Sequence, residues 1–430
     1  MYHDRLLKFS IVIIVILVLL TGRLFQIQII KSDEYKMAAL RQRGVEFKLY
    51  PDRGTIYDRN LIPLTNKDRI TTSYHDDNIP KDYLIHGKVL RYDKNNLLTH
   101  VIGYINRSEN KGEYGIEKVF DDVLKINGQN SIFLEMDNKR KIIPGAGFAV
   151  VDNKKSSYPN GVKLTIDYHI QKIVEKEMDK NNINGSVVVA EVKSGDIVAM
   201  ASRPNFVQDN IDAYLDKDNM ELYNKAIQVS YPPGSLFKIV VLLAALEEDP
   251  SIVDKIYYCK GYETINDVTI RCNKANGHGY ISLMNAFSKS CNSTFIQIGQ
   301  NIGSERIIDM AKRLGFGEKI NIGLLEETTG RLPTGKELIG PSIGNISIGQ
   351  GEIEVTPLQV TNMMLILANN GVKKDLSIIK GIVNDEGYLV KDYKRNEDET
   401  IISRDIAKIV KDYLREVVKS GTGSSMDLDE

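Results

Sequence analysis

Two apolar stretches dominate the hydrophobic pattern of this chain, one at its beginning and one near its middle, and they carry different consequences. Residues 9–22 (FSIVIIVILVLLTG) are apolar and uncharged, with Arg5 and Lys8 ahead of them, and 24–30 extend the run past Arg23 with only two Gln. The uninterrupted part is shorter than the ~20 residues a bilayer crossing needs. Taken as one helix from Leu6 to Ile30, with Arg23 and Lys31 at or beyond the outer interface, the segment is long enough. It lacks the small-residue cleavage pattern of a signal peptide. The expectation is an uncleaved signal anchor, its short basic tail inside and everything after it outside; a cleaved signal peptide is the alternative. The second stretch, 236–248 (LFKIVVLLAALEE), is an almost unbroken apolar run of strong helix formers. It is entered through Pro232, Pro233 and Gly234, which break the preceding structure, and it predicts a long buried helix.

The remaining pattern divides near residue 155. Residues 32–155 are rich in Lys, Asp and Asn, with short β-type runs at 45–49, 55–57 and 98–105 between turn residues. Residues 154–161 (KKSSYPNG) form a polar, turn-rich boundary. Beyond it, helical patterns at 167–181, 236–248, 281–301, 304–314, 357–369 and 404–418 accompany a strand pair within 186–202, which is mixed α/β (α+β) content. No internal repeat or low-complexity tract is present.

Candidate chemistry centres on the mouth of the second apolar run. Ser235 and Lys238 are three apart and so share a helical face. Lys238 Nζ can then reach Ser235 Oγ, while the free N–H groups of the helix start favour negative charge developing there. A lysine set among Ile239, Val240 and Leu242 is desolvated, which lowers its pKa and leaves an amine able to take the serine proton. The bland alternative makes Ser235 an N-cap and Lys238 a snorkelling surface residue. A second element, Ser290-Cys291-Asn292, places a hydroxyl and a carboxamide downstream of a helical pattern. Ser290 can relay a proton between Lys238 and a leaving amine, and Asn292 can hold a substrate amide. Alone, such a triplet is usually a cap or a turn.

The order Ser-x-x-Lys followed by Ser-x-Asn resembles the penicillin-recognising serine acyl transferases, whose third motif is Lys-[Ser/Thr]-Gly. From about residue 10 onward the chain resembles a class B penicillin-binding protein, a monofunctional peptidoglycan D,D-transpeptidase. Arg53-Gly-Thr-Ile-Tyr-Asp-Arg-Asn60 is similar to the family's pedestal motif, with Leu61 in place of its usual glycine, and Gly115, Glu117 and Phe120 resemble a second pedestal element. Val162-Lys-Leu-Thr-Ile-Asp167 with Gln171 resembles the entry to the transpeptidase domain, and Gly185 to Ser202 its first hairpin. Ser347-Ile-Gly-Gln-Gly351 and Thr356-Pro-Leu-Gln359 continue the match.

The resemblance implies a cytoplasmic tail and membrane anchor at 1–31, an elongated α+β pedestal of dimerisation type at 32–155, and a transpeptidase domain at 156–430. That domain would be a five-stranded antiparallel sheet flanked by helices. The implied chemistry is acylation of Ser235 by a D-Ala-D-Ala stem peptide, release of D-Ala and transfer to an amine of a neighbouring strand, with the Ser235 N–H as half of the oxyanion hole. Beta-lactams would acylate the same serine. Lipid-linked precursor strands and a polytopic glycosyltransferase are the implied partners, outside the plasma membrane. A beta-lactamase or beta-lactam sensor, and a catalytically impaired cell-wall scaffold, are the alternatives. The third-motif candidate, Lys419-Ser420-Gly421, closes a helical pattern instead of lying on a strand, and Gly421 to Met426 resembles the family's GTGxxA-like stretch. The expectation is a chain cut short before the true third motif, which acylates very slowly.

Composition narrows the partners further. The 430 residues carry a formal net charge of -1, which argues against a nucleic-acid partner. No glycine-rich phosphate loop or dinucleotide fingerprint appears, and no cofactor is required. Cys259, Cys272 and Cys291 lie close in sequence around His278. Structural zinc on Cys259, Cys272 and His278, with Asp267 or Cys291 as fourth ligand, is one expectation; a Cys259–Cys272 disulfide and three inert thiols are the others.

Overall fold

The computed structural model describes residues 2–32, 34–35, 38–39, 44–48, 53–67, 90–92, 95–125, 131–135, 148–151, 161–215, 219–384 and 387–426. The boundary expected at 154–161 lies outside them except for Gly161. The chain forms two compact units. The first joins Met1–Arg53, Arg69–Leu90 and Ile126–Tyr158, and the second joins Gly54–Asp68, Arg91–Lys125 and Pro159–Glu430. This is not the contiguous division at 155, because two stretches of the supposed pedestal pair and pack with the C-terminal half.

In the first unit, Tyr2–Phe25 is an α-helix continued by a wider π turn at Gln26–Ile30. Its stretch Arg5–Ile30 is the one helix among the described residues long and apolar enough to cross a membrane. At 1.5 Å per residue its 26 residues extend about 39 Å, more than the hydrocarbon core of a bilayer. A three-stranded antiparallel sheet completes the described part, with Ser131–Glu135 between Gly44–Lys48 and Phe148–Val151. The β-type run at 45–49 falls on the first of these strands as far as residue 48.

The second unit is built around two cores. One surrounds the helix Lys238–Glu248, on which every residue from Lys238 to Leu246 is buried. The helices Asn292–Ile302, Ser304–Arg313 and Arg404–Ser420 pack against it. An apolar run with no polar face requires such cover on all sides. The other core lies under a four-stranded sheet ordered Leu389–Asp392, Ile379–Val383, Gly161–Leu164, Ile56–Tyr57. The last pairing is parallel, Ile56 opposite Val162 and Tyr57 opposite Lys163, and it ties the early segment into this unit. Of the five-stranded sheet implied by the resemblance, the described residues form the antiparallel hairpin Gly185–Ala190 and Ile197–Arg203. Helix Tyr168–Lys180 packs on its second strand and helix Pro357–Ala368 on its first.

The pedestal-like motif earns its place through Asp58. Its Oδ1 accepts the N–H groups of Asn60 and Ile62 at 2.8 and 2.7 Å, and its Oδ2 accepts that of Tyr168 at 3.1 Å, at the start of helix Tyr168–Lys180. Leu61 between those amides has φ 65°. A side chain in this left-handed region costs roughly 1–2 kcal/mol, which the Asp58 bonds on either side offset. The turn is kept although the glycine is absent.

Two expected elements differ. The β-type run at 98–105 begins as the helical turn Thr99–Ile102, all four residues buried, and only Ile105–Asn106 is a strand. Tertiary burial overrides the β propensity there. The helix expected over 281–301 is a strand, Gly279–Ser282, then helix Leu283–Ser288, a break, and helix Asn292–Ile302. At the break Ser290 has φ 53°, Ser290 N–H bonds Phe287 O at 3.0 Å and Cys291 N–H bonds Ala286 O at 2.8 Å. That is a left-handed helix stop made without glycine.

Removing the packing of the central helix should be costly. Leu242 is fully buried, so Leu242→Ala is expected to lower unfolding free energy by about 2–5 kcal/mol through the cavity it leaves. Urea denaturation of the two proteins side by side measures it.

Candidate active site

Gly234–Phe237 is a 3-10 turn that runs directly into the helix Lys238–Glu248. Ser235 therefore stands one turn ahead of the α-helix, exposed, while Lys238 is 2% exposed. Gly234 reaches φ 56° to make this entry, and its N–H bonds Gly349 O at 2.9 Å. Gly349 itself has φ 69°, and a Cβ on it would lie 2.2 Å from Gly234 O and 2.6 Å from Phe237 Cβ. The expected Ser347-to-Gly351 motif thus forms the backbone floor that seats the serine turn.

The four expected polar residues converge. Lys238 Nζ lies 3.3 Å from Ser235 Oγ and 2.9 Å from Ser290 Oγ, and it donates to Ser290 O and Asn292 Oδ1, each at 2.8 Å. The two hydroxyls are 2.8 Å apart. The Phe295 ring centre is 5.7 Å from Nζ. Burial pulls the Lys238 pKa down to about 8, against the smaller opposing pull of the neighbouring Cys291 and Cys272. The helix break explains the reach: the left-handed Ser290 turns both its hydroxyl and its carbonyl to the amine, and the new helix begins at Asn292.

A neutral Lys238 amine has two hydrogens and one lone pair. The hydrogens go to the Ser290 carbonyl and Asn292 carboxamide oxygens, which can only accept. The lone pair is left for a hydroxyl, directly for that of Ser235 or through Ser290. Such an arrangement can activate a serine nucleophile, with its base held in place on two sides.

Asn292 is anchored from its other side, its Nδ2 donating to Arg271 O at 3.1 Å. Arg271 ends a two-stranded hairpin, Tyr262–Ile265 with Val268–Arg271. This support was missed from sequence, although the alternation around Asn266-Asp267 signals a tight turn; Asn266 has φ 50°.

The cysteines also converge. One ligand atom each from Cys259, Cys272, His278 and Cys291 lies within 4.8 Å of the others, and all three thiols are buried and unpaired. Cys291, and not Asp267, lies in this group, and Cys259 and Cys272 are free thiols. Burial pushes the Cys272 thiol up, but backbone N–H groups of Lys274, Ser293 and Asn292 outweigh it and hold the thiol below its usual value. Burial raises Cys291 to about 12. Burial, then Lys274, Lys289 and Lys238, hold the His278 imidazole below its usual pKa.

Lys419 and Ser420 are the last residues of helix Arg404–Ser420, with Gly421 as its cap. A second triplet, Lys193-Ser194-Gly195, lies in the hairpin turn, where Ser194 Oγ donates to Glu191 at 2.6 Å. Neither is on a strand, so neither offers the carboxylate-binding edge of a third motif.

Comparison with known proteins agrees with this geometry. The family model for the penicillin binding protein transpeptidase domain matches residues 185–429. Stage V sporulation protein D of Bacillus subtilis is 32% identical over 352 residues, 79% of this chain and 53% of that protein. The peptidoglycan D,D-transpeptidase MrdA of Haemophilus influenzae is 25% identical over 88% of this chain and 72% of its own length. The crystal structure of penicillin-binding protein 3 from Mycobacterium tuberculosis complexed with ampicillin superposes with a TM-score of 0.69 at 28% identity, covering 89% of this chain and 79% of that one. The chain belongs to the penicillin-binding protein transpeptidase family. It spans about half the length of the first curated relatives it matches, 53%, 48% and 50%.

The seat of the serine turn gives a test. Gly349→Ala should lower the second-order rate constant for acylation by a fluorescent penicillin at least tenfold while far-UV circular dichroism stays unchanged, since the methyl presses on Gly234 O and Phe237 Cβ at the serine turn itself. An unaltered rate would show that the Gly234–Gly349 contact does not set the serine position.

Proposed function

We propose that this chain is a membrane-anchored serine D,D-transpeptidase of the class B penicillin-binding type, acylated on Ser235. The observation that carries this reading is the closed set of hydrogen bonds joining Ser235, Lys238, Ser290 and Asn292 around one buried amine. The family membership and a relative named as a peptidoglycan D,D-transpeptidase support the substrate class.

Ser235 Oγ gives its proton to Lys238, directly or by way of Ser290, and bonds to the carbonyl carbon of the D-Ala-D-Ala peptide bond. The Ser235 N–H stabilises the oxygen that becomes negative. The C–N bond breaks as the proton returns through Ser290 to the departing D-Ala amine. An amine from a neighbouring stem peptide then attacks the ester, loses a proton to the same base and restores the Ser235 hydroxyl. A beta-lactam ring opens onto Ser235 by the first half of the same route. The apolar helix Arg5–Ile30 anchors the chain by a single pass, with the acyl-transfer unit outside the membrane, beside lipid-linked strands and a polytopic glycosyltransferase. The pedestal-like Asp58 turn supports this family assignment over a beta-lactamase or sensor.

Ser235→Ala should abolish covalent penicillin labelling, read by mass spectrometry of the intact protein, without changing the melting temperature. A Lys238 pKa near 8 makes the neutral base the minor form at neutral pH. The acylation rate constant should therefore climb up to about tenfold per pH unit below 8 and level off above it. Lys238→Ala should remain slow and flat across that range. A flat profile in the parent protein, or normal acylation of Lys238→Ala, would remove Lys238 from the role of base.

A further inference from the structure

The four side chains at Cys259, Cys272, His278 and Cys291 come from separate segments of a small lobe of two two-stranded sheets and from the loop that carries Ser290 and Asn292. Cys259 ends the strand Ile256–Cys259, and Cys272 follows the strand Val268–Arg271. His278 precedes the strand Gly279–Ser282, which pairs with Ile256–Cys259. Cys291 is the residue between the two catalytic positions and caps the helix Asn292–Ile302. We propose that these four residues bind a zinc-class divalent cation as a closed site of three thiolates and one imidazole, and that this ion clamps the lobe to the catalytic loop and so positions Ser290 and Asn292. The positioning half rests on the transpeptidase reading; the binding half does not.

Distance carries the first step. A tetrahedral zinc with Zn–S bonds of about 2.3 Å separates two sulfurs by about 3.8 Å. Cys272 Sγ is 3.7 Å from Cys291 Sγ and 3.7 Å from His278 Nδ1. A disulfide would need sulfurs about 2.0 Å apart. Donor type carries the second step: three thiolates and an imidazole suit borderline-soft zinc rather than calcium or magnesium. Four protein ligands leave no open position, which assigns the ion a structural role instead of a place in the reaction.

The backbone around the cluster is built for close approach. Gly261 has φ 100°, and a Cβ on it would lie 2.3 Å from Ala275 O; Gly277 has φ 76°, and its Cβ would lie 2.2 Å from Cys259 O. These two turns bring the Cys259 and His278 ends together, and the Cys272 N–H bonds Gly261 O at 2.8 Å. On the side of the catalytic loop, Asn273 Nδ2 donates to Lys289 O at 2.9 Å and Asn292 Nδ2 to Arg271 O at 3.1 Å. The cluster itself is a third tie between lobe and loop. Ser290 holds a left-handed conformation without glycine, so a fixed Cys291 directly after it has a geometric purpose.

The full chain, purified without chelator, should hold about one zinc per molecule by elemental analysis, and Ser235→Ala should hold as much. Cobalt substitution should produce the visible absorption of a tetrahedral thiolate site. His278→Ala should lose the metal, and His278→Cys, which restores four ligands, should keep it. Chelation should lower the melting temperature, and in the chelated protein penicillin acylation should fall at least tenfold with circular dichroism unchanged and return on adding zinc. Metal-free protein whose melting temperature ignores zinc, or a Cys272–Cys291 disulfide found by mass spectrometry, overturns the site. Undiminished acylation after demonstrated metal loss overturns the positioning role alone. Absent acylation in metal-loaded protein counts instead against the transpeptidase reading, because the cobalt spectrum does not depend on it.

Discussion

The structure depends on one uncomfortable placement, an amine at the N-terminal end of a helix that is apolar and buried from Ile239 to Leu246. Burial takes Lys238 from its ordinary value to about 8, a cost on the order of 3 kcal/mol in the charged form. The folded pKa lies below the unfolded one, so the folded chain holds fewer protons between pH 8 and the ordinary lysine value. The cost is therefore fully present below pH 8 and disappears as pH rises through that window. What makes the placement tolerable is that four oxygens surround the amine. What makes it useful is that two of them can only accept, so losing one proton exposes the lone pair to a hydroxyl instead of leaving it idle.

The exposed serine and the buried lysine need opposite environments only three residues apart, and the change from a 3-10 turn to an α-helix supplies both. Gly234 and Gly349 permit it, since a Cβ on Gly349 would need the space that the Gly234 backbone occupies. The position of Ser235 is thus shared between the helix that carries Lys238 and a loop more than a hundred residues later. Neither segment could hold the geometry alone.

How much of this was legible from sequence follows the range of the interactions concerned. Ser235 and Lys238 were legible because their relation is local: three residues on one helix and an apolar run long enough to bury the second. The apolar N-terminal helix and the strand pair within 186–202 were legible for the same reason. The break at Ser290 was not, because Ser-Cys-Asn offers no glycine and its left-handed turn is maintained by hydrogen bonds to Phe287 and Ala286. The hairpin Tyr262–Ile265 with Val268–Arg271 is only weakly legible in spite of its Asn266-Asp267 turn, since its strands are short and mostly exposed. The joining of Gly54–Asp68 to the C-terminal unit rests on a parallel pairing across more than a hundred residues, and no local pattern announces such a contact.

The two halves of the site consequently differ in how they are held. Ser235 and Lys238 sit at the start of a helix packed on every side, and their separation is set by that helix. Ser290 sits on the link between two helices, where its backbone is strained, and Asn292 opens the second helix, with the hairpin lobe beside it. The relay proposed from Ser235 through Ser290 to Lys238 tolerates little drift in the second half, because each step is a hydrogen bond near 2.8–2.9 Å and such bonds weaken steeply with distance and angle. Contacts outside these four residues must therefore fix that loop, and the bond from Asn292 to Arg271 O identifies the hairpin lobe as the part of the fold that does so.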